Sequence, residues 1–146
     1  MAFQNEKTRF FRFAADTSGG ITIWSLFNFL MILGFAGLAL DVNNAVRSRT
    51  QLQGVADAAG HAALLARYAT GDEEQGRTAG ISVAEANMPT SIFGNVLVTA
   101  DIEFGNWERT SRTFTPGAGS SAVRVTTRRA ESRGNAVSTF LLDVLG

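Results

Sequence analysis

The chain has 146 residues, with 13 basic and 13 acidic side chains and therefore no formal net charge. A balanced charge offers phosphate no concentrated positive face, so nucleic acid is not an expected partner. Cysteine is absent, which excludes a thiolate nucleophile, Cys-ligated zinc and iron–sulfur clusters while fitting either redox compartment.

Residues 1–19 form a cytoplasmic-looking tail in which Phe3, Phe10, Phe11 and Phe13 alternate with Lys7, Arg9 and Arg12. Aromatic rings among charges suit a segment lying at headgroup level on a membrane. From Thr17 to Leu40 there are 24 residues without an ionisable side chain, and Ile21 to Leu40 is predominantly apolar. A helix of that length reaches about 36 Å, against a hydrocarbon core of about 30 Å, so residues 20–40 are expected to span a membrane. Two other readings compete. One is a signal peptide cut near Ala36-Gly37-Leu38-Ala39, although its apolar core would normally be shorter. The other is a buried core helix, which the remaining residues are too few to wrap. Asn28 is the costliest polar residue in the span and is better satisfied against another helix, as are the close-approach positions Gly34 and Gly37. Three basic residues precede the span, and Arg47 and Arg49 follow it closely. That bias places the N-terminus inside and the bulk of the chain outside the cytoplasm.

Helical character continues over residues 41–69. No proline interrupts them, and Val42, Ala45, Val46, Leu52, Val55, Ala56, Ala59, Ala63 and Ala66 recur at steps dominated by three and four. A continuous helix from Ile21 to Ala69 would measure about 73 Å, with Gly71 placed to end it. Gly54 to Ala66 holds eight Ala or Gly in thirteen residues. Such a surface favours close helix packing, although alanine also favours helix everywhere. Gly54 and Gly60 weigh toward packing, because each costs a helix about 1 kcal/mol relative to alanine. Asp41, at the exit of the span, is either an ordinary interfacial charge or a pairing partner for Arg47 and Arg49.

Residues 70–94 read as a loop-rich connector, with a short helical turn at 81–87 closed by Pro89. In the small β-containing region 95–146, Val96, Val98, Ala100, Ile102 and Phe104 alternate with polar neighbours as a half-buried strand. A turn is expected at Gly105-Asn106, a second strand over 107–114 and a third over 122–129. Residues 135–145 read as an amphipathic helix with Val137, Phe140, Leu141 and Val144 inward.

Chemistry-bearing motifs are few. The single histidine, His61, follows Asp57 by one helical turn, a spacing shared by metal ligands and by ordinary charge pairs. Gly71-Asp-Glu-Glu-Gln-Gly-Arg-Thr78 imitates the spacing of a phosphate-binding loop. Its arginine stands where lysine belongs, its acids repel phosphate, and a helix precedes it. The arginines 124, 128, 129 and 133 read as a solvated strand face. No enzyme, cofactor, metal or small-molecule substrate is expected.

Gly20-Ile-Thr-Ile-Trp-Ser-Leu-Phe, Gly37-Leu-Ala-Leu-Asp41 and Arg49-Thr-Gln-Leu-Gln-Gly-Val-Ala-Asp57-Ala-Ala together resemble the TadG-like N-terminal region of Flp (Tad) pilus-assembly proteins. Phe104-Gly-Asn-Trp107, Arg112-Thr-Phe114 and Ala122-Val-Arg-Val-Thr126 resemble the extracytoplasmic part more loosely. The resemblance implies a minor-pilin-like or assembly component of a type IVc pilus that supports adhesion. It would be a single-pass protein of the bacterial inner membrane, with partners in the lipid bilayer and in other pilus-assembly or pilin subunits. Related pseudopilins carry glutamate five residues after a cleavage glycine, where this chain has Ser25 or Trp24. Longer family members carry a von Willebrand A-type domain, and the ending Phe140 to Gly146 reads as if the family's domain would continue. The expected fold is α+β: a long N-terminal helix, its membrane span continuing into the periplasm, packed beside a small antiparallel sheet with a C-terminal helix. The helix-packing or assembly candidates are Asn28, Gly34, Gly37, Asp41, Arg47, Arg49, Gly54, Asp57 and Gly60. The alternative function is a membrane-tethered periplasmic binding module that joins no filament.

Overall fold

A computed structural model describes residues 19–117, 121–141 and 143. The fold is α+β. Helix α1 covers Gly20–Thr70, 51 residues without a break. Gly71 ends it with a φ of +73°, a left-handed conformation that costs glycine nothing. The Gly71 amide donates back to the Arg67 carbonyl at 2.7 Å. The chain divides into two compact units, Met1–Asp41 with Phe140–Gly146, and Val42–Thr139.

In the first unit the apolar part of α1 turns its large side chains outward. Thirteen of them between Ile21 and Leu40 are exposed, Ile21 at 79% and Trp24 at 71%. Hiding that many from water is worth about 20–40 kcal/mol in total, so the segment calls for lipid or protein around it. Leu141 and Asp143 are helical, whereas residues 135–139 are not. The expected helix start at Asn135 therefore moves later, and Val144 lies outside the described residues. Asn135 is buried and committed to a turn. Its Oδ1 accepts from the Ala130 amide at 2.9 Å, and its Nδ2 donates to the carbonyls of Arg128 and Asn95.

The second unit holds the core. Helix α2 covers Glu73–Asn87, 15 residues where a polar loop with a short helical turn was expected. Asp72 caps it by accepting from the Glu74 amide at 2.9 Å, and Glu73 and Glu74 sit in the positive first turn. Gly76 and Gly80, which read as loop punctuation, are contact points. A Cβ on Gly76 would lie 2.8 Å from the Ala63 carbonyl oxygen, and one on Gly80 would lie 3.1 Å from that of Ala59. Glycine spaced by four lets the backbone of α2 come against the backbone of α1, with Ala59, Ala63 and Ala84 sheltered between them. A short helix α3, Thr90–Phe93, follows.

The sheet has three antiparallel strands: β1 (Ile102–Glu108), β2 (Thr113–Pro116) and β3 (Ala122–Val125), ordered β2-β1-β3. Strand β1 starts later than the alternation suggests, because Thr99–Asp101 form a 3₁₀ turn. It then passes straight through Gly105-Asn106, and the chain reverses at 109–112 instead. A Cβ at Gly105 would sit 2.2 Å from the Thr115 carbonyl oxygen and 2.9 Å from the Phe114 ring. Glycine there admits a neighbouring strand and its aromatic ring rather than a turn. Ile102, Phe104, Val123 and Val125 form the face toward the helices. Ile102 and Phe104 join the buried core, with Val123 and Val125 packed against it. Glu103, Trp107, Phe114 and Arg124 occupy the opposite face.

Candidate assembly surface

The predicted positions fall on two stretches of α1, Asn28 to Arg49 and Gly54 to Gly60. In the apolar part of α1, Asn28 donates its Nδ2 to the Trp24 carbonyl at 2.8 Å, which satisfies one amide hydrogen inside the helix. Gly34 has nothing within 4 Å of where a Cβ would stand, whereas Gly37 is covered by the Leu141 side chain at 3.3 Å. Asp41 is buried, at 6% exposure, and accepts from the Phe140 and Leu141 amides at 2.5 and 2.9 Å. Arg47 and Arg49 are exposed, and among the described residues no ion pair joins either to Asp41. The carboxylate is thus placed by main-chain donors from 100 residues away in sequence, a relationship that α1 alone cannot display.

Further along α1, Gly60 is an internal contact. Its open face meets Val125 Cγ2 at 3.4 Å and Val123 Cγ1 at 3.7 Å. Gly54 has nothing within 4 Å, and Asp57 and His61 are exposed beside it. Asp57 and His61 line an open groove of about 520 Å³ with Gly60, Trp107, Phe114 and Arg124. Trp107 and Phe114 are direct cross-strand partners, and the Arg124 guanidinium lies 4.7 Å from the Phe114 ring centroid. Arg124 also binds Glu103 Oε2 through Nε at 2.7 Å and Nη2 at 2.6 Å. No group of three His, Cys, Asp or Glu side chains among the described residues could hold a metal ion.

Several organising residues escape the sequence reading. Asp101, 6% exposed, accepts from the Val98 amide at 3.1 Å and pairs with Arg133 at 2.8 Å. Phe104 is buried with the guanidinium carbons of Arg67 and Arg77 at 5.3 and 5.4 Å from its ring centroid. Glu73 holds Arg77 at 3.0 Å and Arg67 at 3.6 Å. Thr127 Oγ1 donates to the Leu52 carbonyl at 2.9 Å, and Arg129 reaches Ser48 at 3.4 Å, fastening the segment after β3 along α1. No local spacing announces these contacts, since Asp101 and Arg133 stand 32 residues apart in sequence and Ser48 and Arg129 stand 81 apart.

Two family profiles match the chain. Residues 19–70 match Tad, described as Flp pilus-assembly, TadE/G-like. Residues 54–146 match Tad_C, described as Tad-like Flp pilus-assembly. No curated protein and no solved structure matches. The apolar helix that is long enough to cross a membrane lies within the first match; the helix–sheet core lies mainly within the second. The chain belongs to the Tad-like Flp pilus-assembly family.

Proposed function

We propose that this protein is a non-enzymatic, single-pass component of a Tad/Flp-type pilus assembly machine in the bacterial inner membrane. Its N-terminus faces the cytoplasm, and Val42–Thr139 lies in the periplasm, where it acts as a minor-pilin-like subunit or assembly factor supporting adhesion. The observation carrying this reading is the outward-facing apolar surface of α1 between Ile21 and Leu40, in a chain of a pilus-assembly family. Lipid covers most of that surface; Asn28 and Gly34 are the positions at which another subunit's helix replaces it.

The sequence lacks cysteine, so one introduced thiol reports sidedness. In intact cells with a permeable outer membrane, Ser111→Cys reacts with a membrane-impermeant maleimide, and Gln4→Cys reacts only after lysis. The reverse pattern overturns the orientation. Intact mass from native membranes after cross-linking then separates the roles. Full-length protein linked to pilus-assembly proteins indicates a resident component, and loss of residues through Gly19 or Gly20 with links to pilin indicates a processed subunit. Full-length protein linked to no pilus component favours the tethered binding module.

A further inference from the structure

The register of β3 leaves half of its main chain unused. Thr126 donates its amide to the Asp101 carbonyl at 3.0 Å. Antiparallel pairing alternates, so Arg124↔Glu103 and Ala122↔Gly105 are the hydrogen-bonded pairs on that ladder. The N–H and C=O of Val123 and Val125 therefore point away from β1, toward the free edge. Gly117 N–H donating to the Phe104 carbonyl at 3.2 Å fixes the complementary phase toward β2 and agrees with this assignment. Among the described residues no strand pairs with that edge. The edge opens into the groove between Asp57 and His61 on α1 and Trp107, Phe114 and Arg124 on the outer sheet face.

We infer that this groove takes an extended segment of another protein, which adds to β3 as a fourth strand and carries a carboxylate opposite Arg124. Four main-chain groups at Val123 and Val125 call for a strand rather than a helix or a lipid. A second copy of this chain fits poorly. Antiparallel pairing of two β3 edges through these residues sets Val123 against the other copy's Val125 and Arg124 directly against its counterpart, and opposed like charges destabilise a pair. A charged residue in mid-edge commonly protects a strand from its own kind. Arg124 retains capacity for an acid, because Nε and Nη2 both go to Glu103, leaving Nη1 for a second carboxylate. Residues flanking that carboxylate turn inward toward Ala56, which lines the groove. This surface lies wholly within Val42–Thr139 and stands independently of the pilus role.

The test uses the full chain in lipid nanodiscs and a short synthetic peptide of alternating valine and threonine with one central glutamate. A matched peptide carries lysine at that place. Amide hydrogen exchange at Val123 and Val125 slows at least tenfold with the glutamate peptide, while the amides of Ala122 and Arg124, already bonded to β1, hold their rates. The lysine peptide binds at least tenfold more weakly; Val123→Pro, which deletes one outward N–H, weakens the glutamate peptide more than Val123→Ala, which loses the same packing against the core but keeps that N–H. Unchanged exchange at Val123 and Val125, or equal binding of both peptides, overturns the proposal. Slowing that rises with protein concentration and needs no peptide assigns the edge to a second copy and overturns it as well.

Discussion

Gly76 faces the Ala63 carbonyl oxygen so closely that a methyl group in its place would stand 2.8 Å from that oxygen and equally near the Phe104 ring. Neither neighbour has freedom to retreat: one is helix backbone, and the other is core. Gly76→Ala is therefore expected to destabilise the protein by about 1–3 kcal/mol despite the helix propensity it gains. Gly54 has nothing within 4 Å, and Gly54→Ala should stabilise by about 0.5–1 kcal/mol. Thermal unfolding in detergent compares the two, and equal shifts would contradict the close crossing. If Gly54→Ala stabilises the protein yet stops pilus assembly, Gly54 meets another subunit.

Asp101 is nearly inaccessible, with Arg133 on one side and the Val98 amide on the other. Asp101→Ala leaves a mostly covered guanidinium and a main-chain donor without their acceptor. The expected cost is about 3 kcal/mol, read from denaturant unfolding. Asp101→Asn should cost less, since its carbonyl oxygen can still accept from Val98. A loss below about 0.5 kcal/mol for the alanine variant, the level of an exposed pair, would show that the pair is solvated.

Asp41→Ala removes the acceptor for the Phe140 and Leu141 amides. Hydrogen bonds to an ionised group contribute about 1.5–3 kcal/mol, so exchange of both amides should accelerate at least tenfold in nanodiscs. Exchange unaltered by the substitution would place other acceptors there.

The Thr90 hydroxyl, and then its amide at 2.9 Å, donate to the Glu85 carboxylate and hold its pKa below the ordinary value. A folded pKa below the unfolded one means the contact contributes above the unfolded pKa and is lost as pH falls through the folded value. Carbon-detected titration should find Glu85 titrating below the ordinary glutamate value. Thr90→Val, which keeps the amide and removes the hydroxyl, should raise the Glu85 midpoint part of the way. An unmoved midpoint would remove the hydroxyl from the explanation.

The long helix was legible because its evidence is local: an uncharged apolar run, no proline through residue 69, and Gly71 at the stop. The count of three strands holds, but its division does not, because the turn expected at Gly105-Asn106 lies inside β1. What misled is glycine. Gly76, Gly80 and Gly105 carry identical loop signals in sequence, yet each marks a place where another segment's backbone or ring comes within 3.1 Å of a Cβ position. The partner of a tight contact is not written beside the glycine that permits it. Asp41 shows the same limit, since its main-chain donors stand about 100 positions downstream while the charges nearest it in sequence are Arg47 and Arg49.

The crossing of α1 and α2 is built from Ala59, Ala63, Ala84, Gly76 and Gly80. Alanine and glycine have no side-chain rotamers to lose or exchange. At the closest approach the two helices therefore meet through contacts with no side-chain torsions to change, whereas the Arg67–Glu73 pair beside them keeps its own. Any adjustment between α1 and α2 at that point is therefore a movement of whole backbone rather than an exchange of rotamers.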